Sequence, residues 1–254
     1  MTRVLSGTAT SAGLVRDTNE DSAFAGERIF AVADGMGGHV AGEVASSLVI
    51  ERLRVLDARG ALRPDDIRAE LVAANHAMLA DARPEHEGMG TTVSGIGMVE
   101  LAGSDHWIVF NVGDSRVYRF ADDVLSRLTV DHSEVEELVT RGLLTEEAAL
   151  EHPRRNVVTR ALGTPLSAEP DQWVFPARPG ERFVLCTDGL TNEVPDEMII
   201  EVLRAAAEAD ETAEELVRRA IEAGGRDNVT AVVVDHVAAG VPVGSADTAP
   251  RNAR

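Results

Sequence analysis

At 254 residues, with 44% hydrophobic and 26% charged residues, the chain has the composition of an ordinary soluble globular protein, enough for one large domain or two small ones. Its formal net charge of -19 excludes nucleic-acid backbones and anionic membranes as natural partners, since both would be repelled over long range. All 24 basic residues are arginines, which excludes chemistry built on lysine: a P-loop, a Schiff base or a kinase-type phosphate-binding lysine.

In chain order, β-branched and apolar runs predict strands over 4–10 and 28–33. Val44, Leu48, Leu53 and Leu56 then trace the stripe of one helix, and Ile67, Leu71 and Met78, after Pro64-Asp65-Asp66, trace a second. Strands follow over 91–99, 107–112 and 116–120, the first two joined by a hairpin at Ala102-Gly103-Ser104-Asp105. The stretch 129–156 reads as a polar insert of two short helices, capped by Ser133 with Glu136 and by Thr145. A strand over 182–187 precedes two more helices. Asp196 caps one carrying Ile199, Ile200 and Leu203; Thr212 with Glu215 caps the other, which Gly224-Gly225 ends.

A last strand over 229–236 completes a domain spanning 1–237, and the small, polar residues 238–254 read as a disordered tail. Aromatics are scarce at 4%, so Val, Leu, Ile, Ala and Met must build the core. The single cysteine, Cys186, excludes an internal disulfide framework and fits a reducing compartment. No stretch approaches 18 uninterrupted apolar residues and the first residues lack an apolar signal core, so a soluble, cytoplasmic protein is expected.

The informative pattern is an Asp at the end of one apolar run after another. Asp34-Gly35 closes 29–33, Gly113-Asp114 closes 107–112, Asp188-Gly189 closes 183–187, Asp227 precedes the last strand, and Glu20-Asp21 stands early, near Arg16. A sheet holds a strand-end carboxylate rigidly, and a following glycine lets the backbone approach a ligand. If these strands are neighbours, several carboxylates meet. Two like charges 4 Å apart repel by about 4 kcal/mol at an effective dielectric near 20, so such a group needs cations or raised pKa values. Oxygen ligands without Cys or clustered His favour magnesium or manganese over zinc. A lone Asp-Gly is as readily a turn, and spacing alone leaves both readings open.

Arg16-Asp17-Thr18-Asn19-Glu20-Asp21, Asp34-Gly35-Met36-Gly37-Gly38-His39, Gly90-Thr91-Thr92, Gly113-Asp114-Ser115-Arg116, Asp188-Gly189-Leu190 and Arg226-Asp227-Asn228 together resemble the ordered motifs of the metal-dependent protein phosphatases of type 2C, bacterial members included. The resemblance runs from about residue 6 to 235. It implies an α+β fold: a four-layer α-β-β-α sandwich of two antiparallel sheets between helix pairs, with 129–156 as a flap. It also implies two manganese or magnesium ions and a third, weaker one. Asp34 would bridge two ions with the Gly35 carbonyl on one. Asp188 and Asp227 would complete the pair, Glu20 and Asp21 would reach ions directly or through water, and Asp114 with Asp188 would hold the third. Arg16 would bind the substrate phosphate. The implied activity is hydrolysis of phosphoserine and phosphothreonine by a hydroxide bridging the ions, in a monomer that acts on phosphorylated proteins, serine/threonine kinases among them.

One position departs from the family pattern. Some members carry a histidine directly after the Asp-Gly as a candidate general acid; here Met36 stands there, and His39 follows three residues later.

Rival phosphatase chemistries lack their signatures. The sixth residue after Cys186 is Asn192 rather than Arg, no strand ends in Asp-x-Asp, and Gly-Asp-x-His and Asn-His-Glu are absent. Gly35-Met36-Gly37 meets Val40 where a dinucleotide motif needs glycine. Two alternatives remain: a silent phosphatase-like binding module, which loss of ligand residues would mark, and a phosphatase dedicated to one anti-sigma-factor antagonist. A general role opposing serine/threonine kinases is favoured because no second module is recognisable in the chain. The acidity suggests preference for basic or neutral surroundings of the phosphorylated residue.

Overall fold

The computed structural model describes residues 2–37, 39–81, 83–86, 88–164, 169–205 and 208–238. Its strands are β1 (Thr2–Ser11), β2 (Asp21–Ala25), β3 (Ile29–Met36), β4 (Gly90–Thr91), β5 (Val93–Leu101), β6 (Ser104–Val112), β7 (Arg116–Ala121), β8 (Val124–Arg127), β9 (Asp171–Pro176), β10 (Glu181–Cys186) and β11 (Val229–Ala238). Five form one antiparallel sheet in the order β1-β11-β10-β7-β8. The other sheet runs β2-β3-β5-β6-β9, with β4 pairing β3.

Why the strands read as unbroken apolar runs is clear from their two buried faces. On β3, Phe30 and Val32 point between the sheets, where they join Ile96, Trp107, Val117, Phe183, Val232 and Val234. Ala31 and Ala33, one residue out of phase, point outward and pack with Val49, Leu53, Ile67 and Leu71. Those four belong to α1 (His39–Asp57) and α2 (Pro64–Ala80). On the opposite side, Val184, Ala231 and Val233 pack with Ile199, Ala213, Leu216 and Ala220 of α6 (Asp196–Ala205) and α7 (Ala209–Ala223). The layers are therefore helix pair, sheet, sheet, helix pair, which is the expected sandwich. Trp107 fills the centre, its ring edge-on to Phe183 at 5.0 Å and to Phe30 at 6.5 Å. No helix among the described residues is long and apolar enough to cross a membrane.

The insert between β8 and β9 contains α3 (Glu134–Thr140) and α4 (Glu146–Leu150). The N-caps are the residues expected: Ser133 Oγ accepts from Glu136 N at 3.3 Å, and Thr145 Oγ1 from Ala148 N at 3.2 Å, but the Glu136 carboxylate accepts from Arg127 Nη2 at 2.9 Å instead of completing a capping box. The hairpin between β5 and β6 turns on Ala102 and Gly103 alone, both at positive φ (52° and 78°).

Several expectations need correction. α7 begins at Ala209, three residues before Thr212, whose hydroxyl donates instead to the Glu208 carbonyl one turn back. Asp196 lies inside the first turn of α6 rather than ahead of it, and its carboxylate accepts from Tyr118 Oη at 3.2 Å. Asp188 opens a further short helix, α5 (Asp188–Thr191), which the sequence reading did not include. Ala238 ends β11 and so belongs to the sheet; the rest of the expected tail, 239–254, lies outside the described residues.

Candidate metal centre

One end of the sandwich collects the strand-end acids. Asp21 opens β2 and sits opposite Asp34 near the end of β3. Asp114 lies in the turn from β6 to β7, Asp188 begins α5 directly after β10, and Asp227 closes the turn into β11. Glycines make the approach possible. A Cβ on Gly189 would lie 1.9 Å from the Asn228 carbonyl, so the Asp188 and Asp227 segments can touch only with glycine there. A Cβ on Gly35 would likewise lie 2.2 Å from the Gly42 carbonyl at the start of α1, with Glu20 Oε2 against Gly42 itself.

Polar contacts hold the backbones in place. Asn228 works as a clamp: its Oδ1 accepts from Glu20 N at 2.8 Å, and its Nδ2 donates to the carbonyls of Thr18 (2.8 Å) and Ala12 (3.2 Å). Thr92 Oγ1 accepts from Asp34 N at 3.0 Å, and Thr91 Oγ1 donates to the Asp34 carbonyl at 2.8 Å. Thr187 and Thr230 both donate to Asp21 Oδ2, at 2.9 and 2.7 Å. The reading from sequence assigned no role to Asn228 or these threonines. Asn228, Thr91 and Thr92 stand inside quoted motifs, and Thr187 directly precedes Asp188, which was the available signal.

The electrostatics mark a shared site. Burial pushes Asp21 up to about 7, against the two threonine hydrogen bonds, and Asp188 and Asp227 push it the same way. Asp34 is held well above the usual carboxylate range by burial first and then by Asp21, Asp188, Asp114 and Asp227. Burial, then Asp188 and Asp131, raise Asp114 to about 8. Asp188 is raised by burial first and then by Asp227, against the hydrogen bond its Oδ2 accepts from Asn192 Nδ2 at 3.0 Å.

At the mouth, Arg16 Nη2 donates to Asp227 at 2.8 Å, and the arginine also feels the fields of Glu20 and Asp34. The sequence-named residues Arg16, Glu20, Asp21, Asp34, Gly35, Asp114, Asp188 and Asp227 thus occupy one neighbourhood. His39 begins α1, but its side chain lies outside the described residues. His132 is engaged elsewhere: its Nδ1 accepts from Gly113 N at 3.0 Å, beside Asp114.

Would this group hold metal ions? Among the described residues, no three such side chains already close around one point. The donor chemistry nevertheless fits hard divalent ions. The donors are all oxygen, the carboxylates raise one another's pKa values, and Asp21 Oδ1 is buried with no hydrogen-bond partner. A cation answers all three features.

Comparisons with known proteins identify the family. The family model described as protein phosphatase 2C matches residues 14–228. The chain is 44% identical over 229 residues to serine/threonine protein phosphatase PstP of Mycobacterium tuberculosis, covering 89% of this chain but only 43% of that protein, so it spans less than half the length of that relative. It is 35% identical to serine/threonine phosphatase stp of Listeria innocua, covering 89% of this chain and 93% of that one. Among solved structures, the catalytic domain of PstP in complex with two manganese ions superposes with a TM-score of 0.83 at 40% identity, covering 94% of this chain and 100% of that one. The chain belongs to the protein phosphatase 2C family.

Proposed function

We propose that the chain is a metal-dependent protein serine/threonine phosphatase whose substrates are phosphorylated proteins, bacterial serine/threonine kinases and their targets among them. The observation that carries this reading is the meeting of Asp21, Asp34, Asp114, Asp188 and Asp227 at one end of the sandwich, with Arg16 at its mouth. Asp34, the Gly35 carbonyl, Asp188 and Asp227, with Glu20 and Asp21, are the residues that would hold a pair of manganese or magnesium ions. Asp114 with Asp188 would hold a third. When bound, such ions supply Lewis acidity, neutralising phosphate charge and generating a nucleophile from water.

The chain's own groups set up the rest. Arg16 offers a planar fork of donors to phosphate oxygens, and its side chain is 57% exposed, open to an arriving substrate. Thr187 and Thr230 occupy Asp21 Oδ2 and leave Oδ1 for a cation. Asn228 keeps the Arg16 loop seated against the Asp227 turn. His132, accepting at Nδ1 from Gly113, orients the Asp114 turn and is not placed to protonate a leaving alkoxide. The insert containing α3 and α4 serves as the flap beside this centre, joined to it through His132.

The test is hydrolysis of a phosphothreonine peptide with manganese, with magnesium and with EDTA. Turnover with either metal that EDTA abolishes is expected. A folded protein that binds the peptide but never hydrolyses it would replace this reading with that of a phosphatase-like binding module.

A further inference from the structure

The loop from β1 to β2 carries Arg16, and the two residues before it are both exposed aliphatics. Leu14 is 69% exposed and Val15 is 66% exposed. Isolated exposed aliphatics are commonplace, so the question is whether a loose loop explains these two. It does not. Leu14 N donates to the Gly225 carbonyl at 2.7 Å. Gly13 sits at φ +75°, where a Cβ would lie 2.3 Å from the Asp227 carbonyl and 2.6 Å from that of Gly225. Asn228 Nδ2 fastens both flanks of the loop, at Ala12 and Thr18. The backbone is seated against the turn that carries Asp227, with Leu14 Cγ over Gly225 and both side chains still largely exposed.

Their position relative to Arg16 follows from chain geometry. Successive Cα atoms are about 3.8 Å apart, so Leu14 and Val15 lie within roughly 7 Å of the Arg16 backbone. A phosphorylated side chain bound by Arg16 brings its own neighbours to the same rim, one or two residues' reach away. An aliphatic neighbour there removes apolar surface from water on both partners, and a polar neighbour does not.

We infer that Leu14 and Val15 form an apolar step that receives an aliphatic side chain flanking the phosphorylated serine or threonine, so that the site selects substrates by that residue. The inference rests on the phosphatase reading above.

The test uses the full chain with manganese and two phosphothreonine peptides that differ only at the flanking residues, Leu and Val in one, Ser and Asn in the other. p-Nitrophenyl phosphate, which has no flanks, serves as a third substrate. The expected kcat/KM is about tenfold higher for the apolar-flanked peptide, the order of discrimination a small apolar contact supplies. In the double variant Leu14→Ser, Val15→Ser that ratio should fall to about twofold or less, through KM, with p-nitrophenyl phosphate turnover unchanged. Equal peptides in the wild type, or a ratio that survives in the variant, overturns the inference. So does a variant that also loses p-nitrophenyl phosphate turnover, because the pair would then be structural. Failure of the wild type on all three substrates removes the phosphatase reading, and this inference with it.

Discussion

Along β7 and β10, the buried carboxylates of this fold are met by arginines. Asp131 accepts from Arg116 at 2.7 Å, Glu181 from Arg119 at 2.6 Å and Asp235 from Arg182 at 2.6 Å; near the start of α6, Glu193 accepts from Arg226 at 2.7 Å. At the strand ends, Asp21, Asp34, Asp114 and Asp188 have no such partner. They are held above their ordinary range by burial and by one another. One chain, with arginine as its only strong base, thus pairs its acids in one region and leaves them opposed in another. Opposed charge is retained where something other than a side chain is meant to balance it, and the balancing charge proposed here is a divalent cation.

The comparison is broken most severely by neutralising one acid from each region. Asp34→Asn or Asp188→Asn should lower phosphopeptide turnover by at least about 10³-fold, ~4 kcal/mol in the barrier, while the metal-free protein melts no lower than wild type because a repulsion is gone. Asp131→Asn should do the opposite. It strands the Arg116 guanidinium and should cost about 3 kcal/mol of stability, seen as a lower denaturation midpoint. A strand-end variant that unfolds as readily as the Asp131 one would erase the distinction.

Asn228→Ala sharpens it. Three hydrogen bonds that seat the Arg16 and Glu20 loop are lost, and a loss of about 1–3 kcal/mol in stability is expected. Manganese affinity should weaken as well, which calorimetry would show.

Metal removal adds a pH dependence. The strand-end acids have folded-state pKa values above those of the unfolded chain, Asp21 about 7 and Asp114 about 8. Between roughly pH 4 and 8 the folded, metal-free chain therefore binds more protons, and its stability should fall as pH rises through 7 to 8. Saturating manganese favours the ionised carboxylates and should flatten or reverse that slope. Thermal melts in EDTA that rise steadily over this range would contradict the assignment. The smallest effect expected is a few-fold preference for basic over acidic phosphopeptides, from the net charge of -19; a peptide series at two ionic strengths would measure it.

Much of this was legible in the sequence for a physical reason. β3, β5, β6, β10 and β11 are buried on both faces and read as apolar runs, and the acids stand where those runs stop. β2, β8 and β9 lie at or toward sheet edges with mostly half-exposed or exposed side chains, so their pattern is too weak to separate from loop. Thr212 misled because a threonine three residues before a glutamate looks the same inside a helix as at its start. Thr187 and Thr230 are ordinary strand-region residues by composition, and only the pairing of β10 with β11 brings both to Asp21. The motifs located the acids; their shared field and the hydroxyls that orient them come from three-dimensional neighbours.

Direct titration of manganese into the metal-free full chain, by calorimetry, with Asp34→Asn and Asp188→Asn beside it, addresses the strand-end cluster itself. The expected result is uptake of at least two ions by the wild type, accompanied by proton release, with uptake sharply weakened in both variants. A folded wild-type protein that takes up no manganese, or variants that bind it as well as wild type, would contradict the claim that these unpaired aspartates are a metal centre.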